Sequence, residues 1–410
     1  MIAEAKPTLS DIRKEFPVLD QNVNGKPLIY FDNAATSQTP QSVIDALSHY
    51  YLKDNANIHR GIHTLAERAT TAYEDTRKAI KTFINARESE EIIFTKGTTE
   101  GINLVAQSYG RKFLKAGDEI IITGMEHHSN IVPWQILCQQ TGAVLKVIPV
   151  QQNGTIAVSD FEALLTEKTK MVSVVYISNS LGTINPVSEI IEIAHKAGAK
   201  VLIDAAQAAP HQKLDVQLLG CDFMAFSGHK MYGPTGVGVL YGKREILEAM
   251  DPYQGGGEMI KNVSFAETTY NDIPYKFEAG TPNIADVVAL KTAVEFIERI
   301  GHETIQNQEN ELLAYANEQL ESVDGFRAIG TADHKASVVS FLIDGIHPFD
   351  IGMLLDAKGI AVRTGHHCTQ PLMDHFEIEG TVRASFAVYN TKEEIDQLVM
   401  GLKDIVKKFG

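Results

Sequence analysis

The chain has 410 residues, 44% apolar and 22% charged, the proportions of a soluble globular protein with room for about two or three domains. Its 52 acidic and 37 basic side chains leave a formal net charge of −15, which argues against a nucleic-acid partner and against adhesion to an anionic membrane. Three widely separated cysteines, Cys138, Cys221 and Cys368, make a disulfide framework an unsuitable reading, so each is treated as a free thiol.

Residues 1–10 lack a basic segment followed by an apolar core, and no later apolar run approaches the roughly 20 residues of a membrane span. A cytoplasmic location is expected. The opening segment, with Pro7, Pro17 and Pro27, is too short to fold alone and is expected to pack on a larger body. From about Glu91, short β-branched runs at 92–94, 120–122, 145–150, 171–176 and 201–203 alternate with longer helical stretches. That βαβ alternation predicts a parallel sheet covered on both faces. After Gly280-Thr281-Pro282-Asn283 the pattern changes to amphipathic stretches at 285–300 and 303–320, strands at 338–343 and 382–386, and a helix over 391–408. A smaller α+β body is expected there. The division is therefore a large domain over 33–289 and a small one over 290–410, with 1–32 packing as an N-terminal segment.

Ligands on an open α/β sheet gather at the carboxyl ends of its strands. Polar residues cluster at those ends here: Thr98-Thr99, Glu126-His127-His128, Asn179 and Asp204. Thr95-Lys96-Gly97-Thr98-Thr99-Glu100 runs into a helix expected over 101–109, and amides with threonine hydroxyls at a helix start suit a phosphate or serve as a cap. Neither His127-His128 nor His366-His367 has the Cys-x-x-Cys or His-Glu-x-x-His company of a metal site, so no metal is assigned. One histidine lying flat on an aromatic ligand is the alternative. Asp204, followed by Ala-Ala-Gln207, reads either as a partner for a ring cation or as a helix N-cap.

The stretch 222–240, D-F-M-A-F-S-G-H-K-M-Y-G-P-T-G-V-G-V-L, reads as strand, loop, strand and sets Lys230 on a turn beside a buried sheet. A lysine in partly apolar surroundings loses preference for its charged form, and a neutral amine condenses with aldehydes. Arg363-Thr364-Gly365-His366-His367-Cys368 places a thiol among polar residues, where arginine and histidines would favour the thiolate. Cys138 and Cys221, in apolar contexts, read as inert. Arg383, alone in the apolar run 381–386, needs a carboxylate from the protein or from a substrate.

Phe-Ser-Gly-His-Lys-Met-Tyr-Gly-Pro-Thr-Gly at 226–236 and Arg-Thr-Gly-His-His-Cys at 363–368, together with Asp204, Gln207 and His127, resemble the cysteine desulfurases of the SufS/CsdA-like group in the class V aminotransferase superfamily. The resemblance runs from about Tyr30 to the C-terminus. It implies the pyridoxal-phosphate-dependent transferase fold, α/β, with a large, mostly parallel sheet domain and a smaller α+β domain. It implies pyridoxal 5′-phosphate bound through Lys230, with Asp204 on the pyridine nitrogen, Gln207 on the phenolic oxygen and His127 stacked on the ring. Thr99, Ser227 and His229 would hold the phosphate, joined by Thr281 from the neighbouring subunit of a homodimer. Asn179 and Arg383 would bind the carboxylate of L-cysteine, with Ala34, Ala35 and Arg363 lining the pocket. His127 also manages a proton in this scheme, and Cys368 takes the sulfur as a persulfide for a SufU- or SufE-type acceptor in iron-sulfur cluster assembly. His347 is the candidate contact for a zinc-bearing acceptor, and His59-Arg60 with Gly255-Gly256-Gly257 is expected near the interface or the site mouth. A selenocysteine lyase, another β-eliminating enzyme or a catalytically silent scaffold are the rival readings.

Overall fold

The computed structural model describes residues 8–410, so Pro7 and the residues before it lie outside the description. Seven strands form the main sheet: β1 (Ile92–Thr95), β2 (Glu119–Thr123), β3 (Val144–Ile148), β4 (Thr169–Val175), β5 (Lys200–Asp204), β6 (Phe223–Ser227) and β7 (Gly238–Gly242). Their spatial order is β1-β7-β6-β5-β4-β2-β3. Every pair is parallel except those of β7, which runs antiparallel to both β1 and β6. The sheet is thus mostly parallel, and the antiparallel member is the second half of the strand-loop-strand around Lys230.

The strands read as continuous apolar runs because alternate residues enter two different cores. Ile121, Val172, Val174, Ile203, Met224 and Val239 point into one. Ile93, Ile120, Met171, Leu202, Ala225 and Leu240 point into the other, with the buried Trp134. Where β7 meets the end of β1, a Cβ on Gly238 would stand 2.4 Å from the Cα of Gly97, so only glycine permits that approach.

A second sheet holds β8 (Phe326–Ile329), β9 (Val338–Ile343), β10 (Arg363–Gly365) and β11 (Thr381–Ser385), antiparallel in the order β8-β9-β11-β10. Period-two alternation sends Val339, Phe341, Val382 and Ala384 into a third core, beneath the helices His302–Leu320 and Lys392–Phe409. The other set, including Ser340, Arg383 and Ser385, faces the large sheet: Ser340 Oγ donates to the Ser180 carbonyl. The last helix starts at a capping box in which Thr391 Oγ1 and Glu394 Oε2 each accept the other's backbone N–H, at 3.3 and 3.1 Å.

Residues 29–37 tie the bodies together. Ile29–Tyr30 pairs in parallel with Ile360–Ala361, Asp32 bridges to Ser385, and the Ser37 N–H donates to the His229 carbonyl at 3.0 Å. The helix expected over 101–109 begins earlier, at Thr98–Leu104, and continues through a wider π turn to Gly110. Among the described residues no helix is long and apolar enough to cross a membrane.

Candidate active site

The carboxyl ends of β1, β2, β4, β5 and β6 open onto one cavity of about 200 Å³, closed from the other side by residues of β10, β11 and the loop after β10. Thirteen of the fourteen residues singled out in the sequence line it: Ala34, Ala35, Thr99, His127, Asn179 and Asp204, then Gln207, Ser227, His229 and Lys230, then Arg363, Cys368 and Arg383. The fourteenth, Thr281, lies in a separate depression with Lys96, Glu100 and Gly236.

Lys230 ends the 3₁₀ turn Gly228–Lys230 that follows β6. The N-terminal segment fixes this turn, with the Thr36 hydroxyl and Ser37 amide donating to the His229 carbonyl at 2.9 and 3.0 Å. Burial pushes the Lys230 amine down to about 8, helped by Arg383 and Arg363 and opposed by Asp204 and Cys368. Lys230 and Cys368 both line the cavity. Burial, then the neighbouring Lys230 charge, holds His127 down to about 3 and His229 to about 4. His127 is neutral, and its Nδ1 accepts the Ser129 N–H at 3.1 Å, which leaves the proton on Nε2.

Asp204 does not cap a helix. Its Oδ1 accepts the Ala206 N–H at 2.9 Å, and the short helix Ala208–His211 begins after Gln207 without a side-chain cap. Burial raises the Asp204 carboxyl, which has no full ion pair to balance it. A ring cation would supply that partner. Gln207 lies beside it, Nε2 donating to the Ala34 carbonyl at 2.6 Å.

At the helix start, the Thr98 N–H donates to Ser227 Oγ at 2.9 Å, and the two hydroxyls are 2.7 Å apart. The sequence reading chose Thr99 and passed over Thr98, whose hydroxyl is the one joined to Ser227. Glu126, also unassigned, is fully buried and pushed up to about 8 by burial. It accepts from Thr123 Oγ1, Asn130 Nδ2 and the Val175 N–H at 2.6, 2.7 and 2.9 Å, and so fixes the start of the His127 loop against β4.

Arg363 and Arg383 stand opposite each other on paired strands and share one carboxylate, Asp32, at 3.6 and 2.9 Å. The protein thus supplies the partner that Arg383 demands, yet two cations against one anion leave a net positive charge. Arg383 Nη1 also donates to the Asn179 carbonyl at 2.9 Å. Its Nε and the Asn179 Oδ1 are buried without a protein partner, as expected where a polar ligand completes the set. Asp32 was missed because an acid in Phe-Asp-Asn-Ala-Ala carries no local signal.

Cys368 lies on the loop between β10 and the helix Gln370–His375, with His367 and Cys368 both at positive φ, 51° and 57°. Of the imidazoles near it, burial holds His367 down to about 2 and also lowers His128. Cys221 is buried and pushed up to about 12, while burial raises half-buried Cys138. His347 is exposed, caps the helix Pro348–Asp356 and meets Glu379 at 3.2 Å, outside the cavity. His59 pairs with Glu74 and Arg60 with Glu258, each at 3.0 Å, and neither they nor the Gly255–Gly257 run line the cavity. No cluster of three or more His, Cys, Asp or Glu suited to a metal occurs among the described residues.

A turn lysine facing a strand-end aspartate on this sheet defines a pyridoxal-phosphate-dependent enzyme of the transferase fold, and the cavity's unbalanced carboxylate and orphaned polar atoms fit that cofactor. The aminotransferase class-V family model matches residues 29–398. The probable cysteine desulfurase of Halalkalibacterium halodurans is 55% identical over 98% of both chains. A cysteine desulfurase of Synechococcus elongatus is 53% identical over 97% of this chain, which spans 63% of that longer protein. The apo structure of a cysteine desulfurase from Thermococcus onnurineus superposes with a TM-score of 0.93, at 42% identity over the whole of both chains. The chain belongs to the class-V aminotransferase family, among its cysteine desulfurases.

Proposed function

We propose that this chain converts L-cysteine to L-alanine and carries the released sulfur as a persulfide on Cys368. The observation that carries the reading is the opening of Lys230, Asp204 and Cys368 onto one cavity beneath a pair of arginines. When bound, pyridoxal phosphate supplies an aldehyde for the substrate amine and a cationic ring that takes up the electron pair left at Cα.

The chain's own groups do the rest. Asp204 would keep the ring nitrogen protonated, Gln207 would bond the phenolic oxygen and His127 would cover the ring face. Thr99, Ser227 and His229 would hold the phosphate together with Thr281 of the partner subunit. Arg383 and Asn179 bind the substrate carboxylate, and Ala34, Ala35 and Arg363 shape the pocket around it. Lys230, with an amine near neutrality at about 8, moves the Cα proton. His127 would assist at the substrate thiol as a hydrogen-bond donor from Nε2, its ring at about 3 being too weak a base to keep the thiol's proton. The Cys368 thiolate attacks the substrate sulfur: the substrate C–S bond breaks, the S–S bond forms, and the carbon gains a proton to leave as alanine. Cysteine and thiol become alanine and persulfide, with every atom accounted for.

The large domain over 33–289, the small one over 290–410 and the 1–32 segment belong to the same reading, as do a homodimer and a cytoplasmic setting. So do a SufU- or SufE-type acceptor for iron-sulfur assembly and His347 as its contact. Assaying Cys368→Ala with cysteine and with selenocysteine tests the thiol's role. Loss on cysteine alone is expected, whereas full activity on both would remove Cys368 from the reaction.

A further inference from the structure

Two successive non-glycine residues in the left-handed region, His367 and Cys368, give this loop a backbone that persists only where its surroundings over-determine it. The large-sheet body supplies those determinants. Asn179 Nδ2 donates to the His367 carbonyl at 2.8 Å, and the Ser180 and Thr369 hydroxyls meet at 2.6 Å. One residue contributes twice: His128 donates its backbone N–H to the Cys368 carbonyl at 2.8 Å, and its ring Nε2 accepts the Gln370 N–H at 3.1 Å. The His128 ring also lies 5.7 Å from that of His366, at 35°, and His366 Nδ1 accepts the Cys368 N–H at 3.2 Å.

His128 thus grips the sulfur-bearing loop at Cys368 itself and at Gln370. Its neighbour His127 lines the cavity and His128 does not. We infer that His128 is a positioning residue that seats Cys368 against the substrate sulfur, its ring acceptor being the detachable part of the clasp on a strained loop. The inference rests on the desulfurase reading only for what the seated thiol attacks. A strained loop whose clasp includes one imidazole acceptor can seat the thiol for attack and then yield as the persulfide turns outward.

The experiment compares His128→Leu, which removes the acceptor, with His128→Gln, whose side-chain oxygen reaches near the position of Nε2. Both keep the backbone N–H to Cys368. For His128→Leu we expect the rate of Cys368 alkylation by iodoacetamide, followed on the cofactor-free protein, to rise about fivefold to tenfold. The kcat of the loaded enzyme on cysteine should fall by a similar factor with KM little changed. His128→Gln should return both to within about twofold of the parent. Equal alkylation rates in all three proteins, or a glutamine variant as impaired as the leucine one, would overturn the clasp. Alkylation reads the loop even in a protein that makes no persulfide, so failure of the clasp and failure of the desulfurase reading are told apart. If His128→Leu does not fold, an alkylation rate for His128→Gln far above the parent's is the contrary result.

Discussion

The two walls of the cavity are made differently. Lys230, Asp204 and His127 stand at the ends of hydrogen-bonded strands whose both faces are buried, whereas Cys368 hangs on residues 366–369 in a strained backbone clasped by Asn179, Ser180 and His128. The first wall holds a ring still while protons move. The second must present a sulfur atom inward and later surrender it. Rigidity on one side and a few detachable contacts on the other are what a carrier of a covalent intermediate requires.

The largest break comes at the lysine. Lys230→Ala should lower turnover by about 10³-fold or more and abolish the violet absorbance of the loaded enzyme, measured by alanine release and visible spectra. The same amine sharpens the contrast through pH. Because burial sets it at about 8, its neutral form is scarce below that value and dominant above it. Cofactor uptake by the cofactor-free protein should therefore speed up as pH rises through about 8 and then level off. Asp204→Asn removes the charge that opposes this depression, so its midpoint should move to lower pH, and its turnover should fall by about 10²-fold. An unchanged midpoint would show that Asp204 does not act on the lysine.

Those strand-end residues were legible because each sits where an apolar run stops, and the fold was legible because both faces of the sheet are buried and the runs are long. The strand limits differ by one or two residues. What stayed hidden depends on distant partners. Asp32 became part of the site only when β11 brought Arg383 beside it, and Glu126 and Thr98 only when β4 and β6 met their loops. Asp204 read better as a cap than as a partner for a cation until the structure gave its oxygen to the Ala206 amide. His367, next to Cys368, looked like a source of positive charge, but burial, which a sequence does not report, keeps it neutral.

Smaller effects separate the walls further. Arg383→Lys keeps the charge but cannot serve Asp32, Asn179 and a carboxylate in one plane, so KM for cysteine should rise about tenfold to 100-fold with less change in kcat. Gly238→Ala, at the crossing of β7 and β1, should cost about 1–3 kcal/mol of stability in denaturant titrations, because the new carbon meets Gly97 backbone. A stability near the parent's would mean that this corner of the sheet yields more readily than the packing indicates.

The most direct test is peptide mass spectrometry after one turnover of the loaded enzyme with L-cysteine and no acceptor. The account predicts one added sulfur atom on the peptide bearing Cys368, matched by one alanine, and none on Cys138 or Cys221. Alanine released with Cys368 unmodified, or sulfur found on either of the other two thiols, would contradict it.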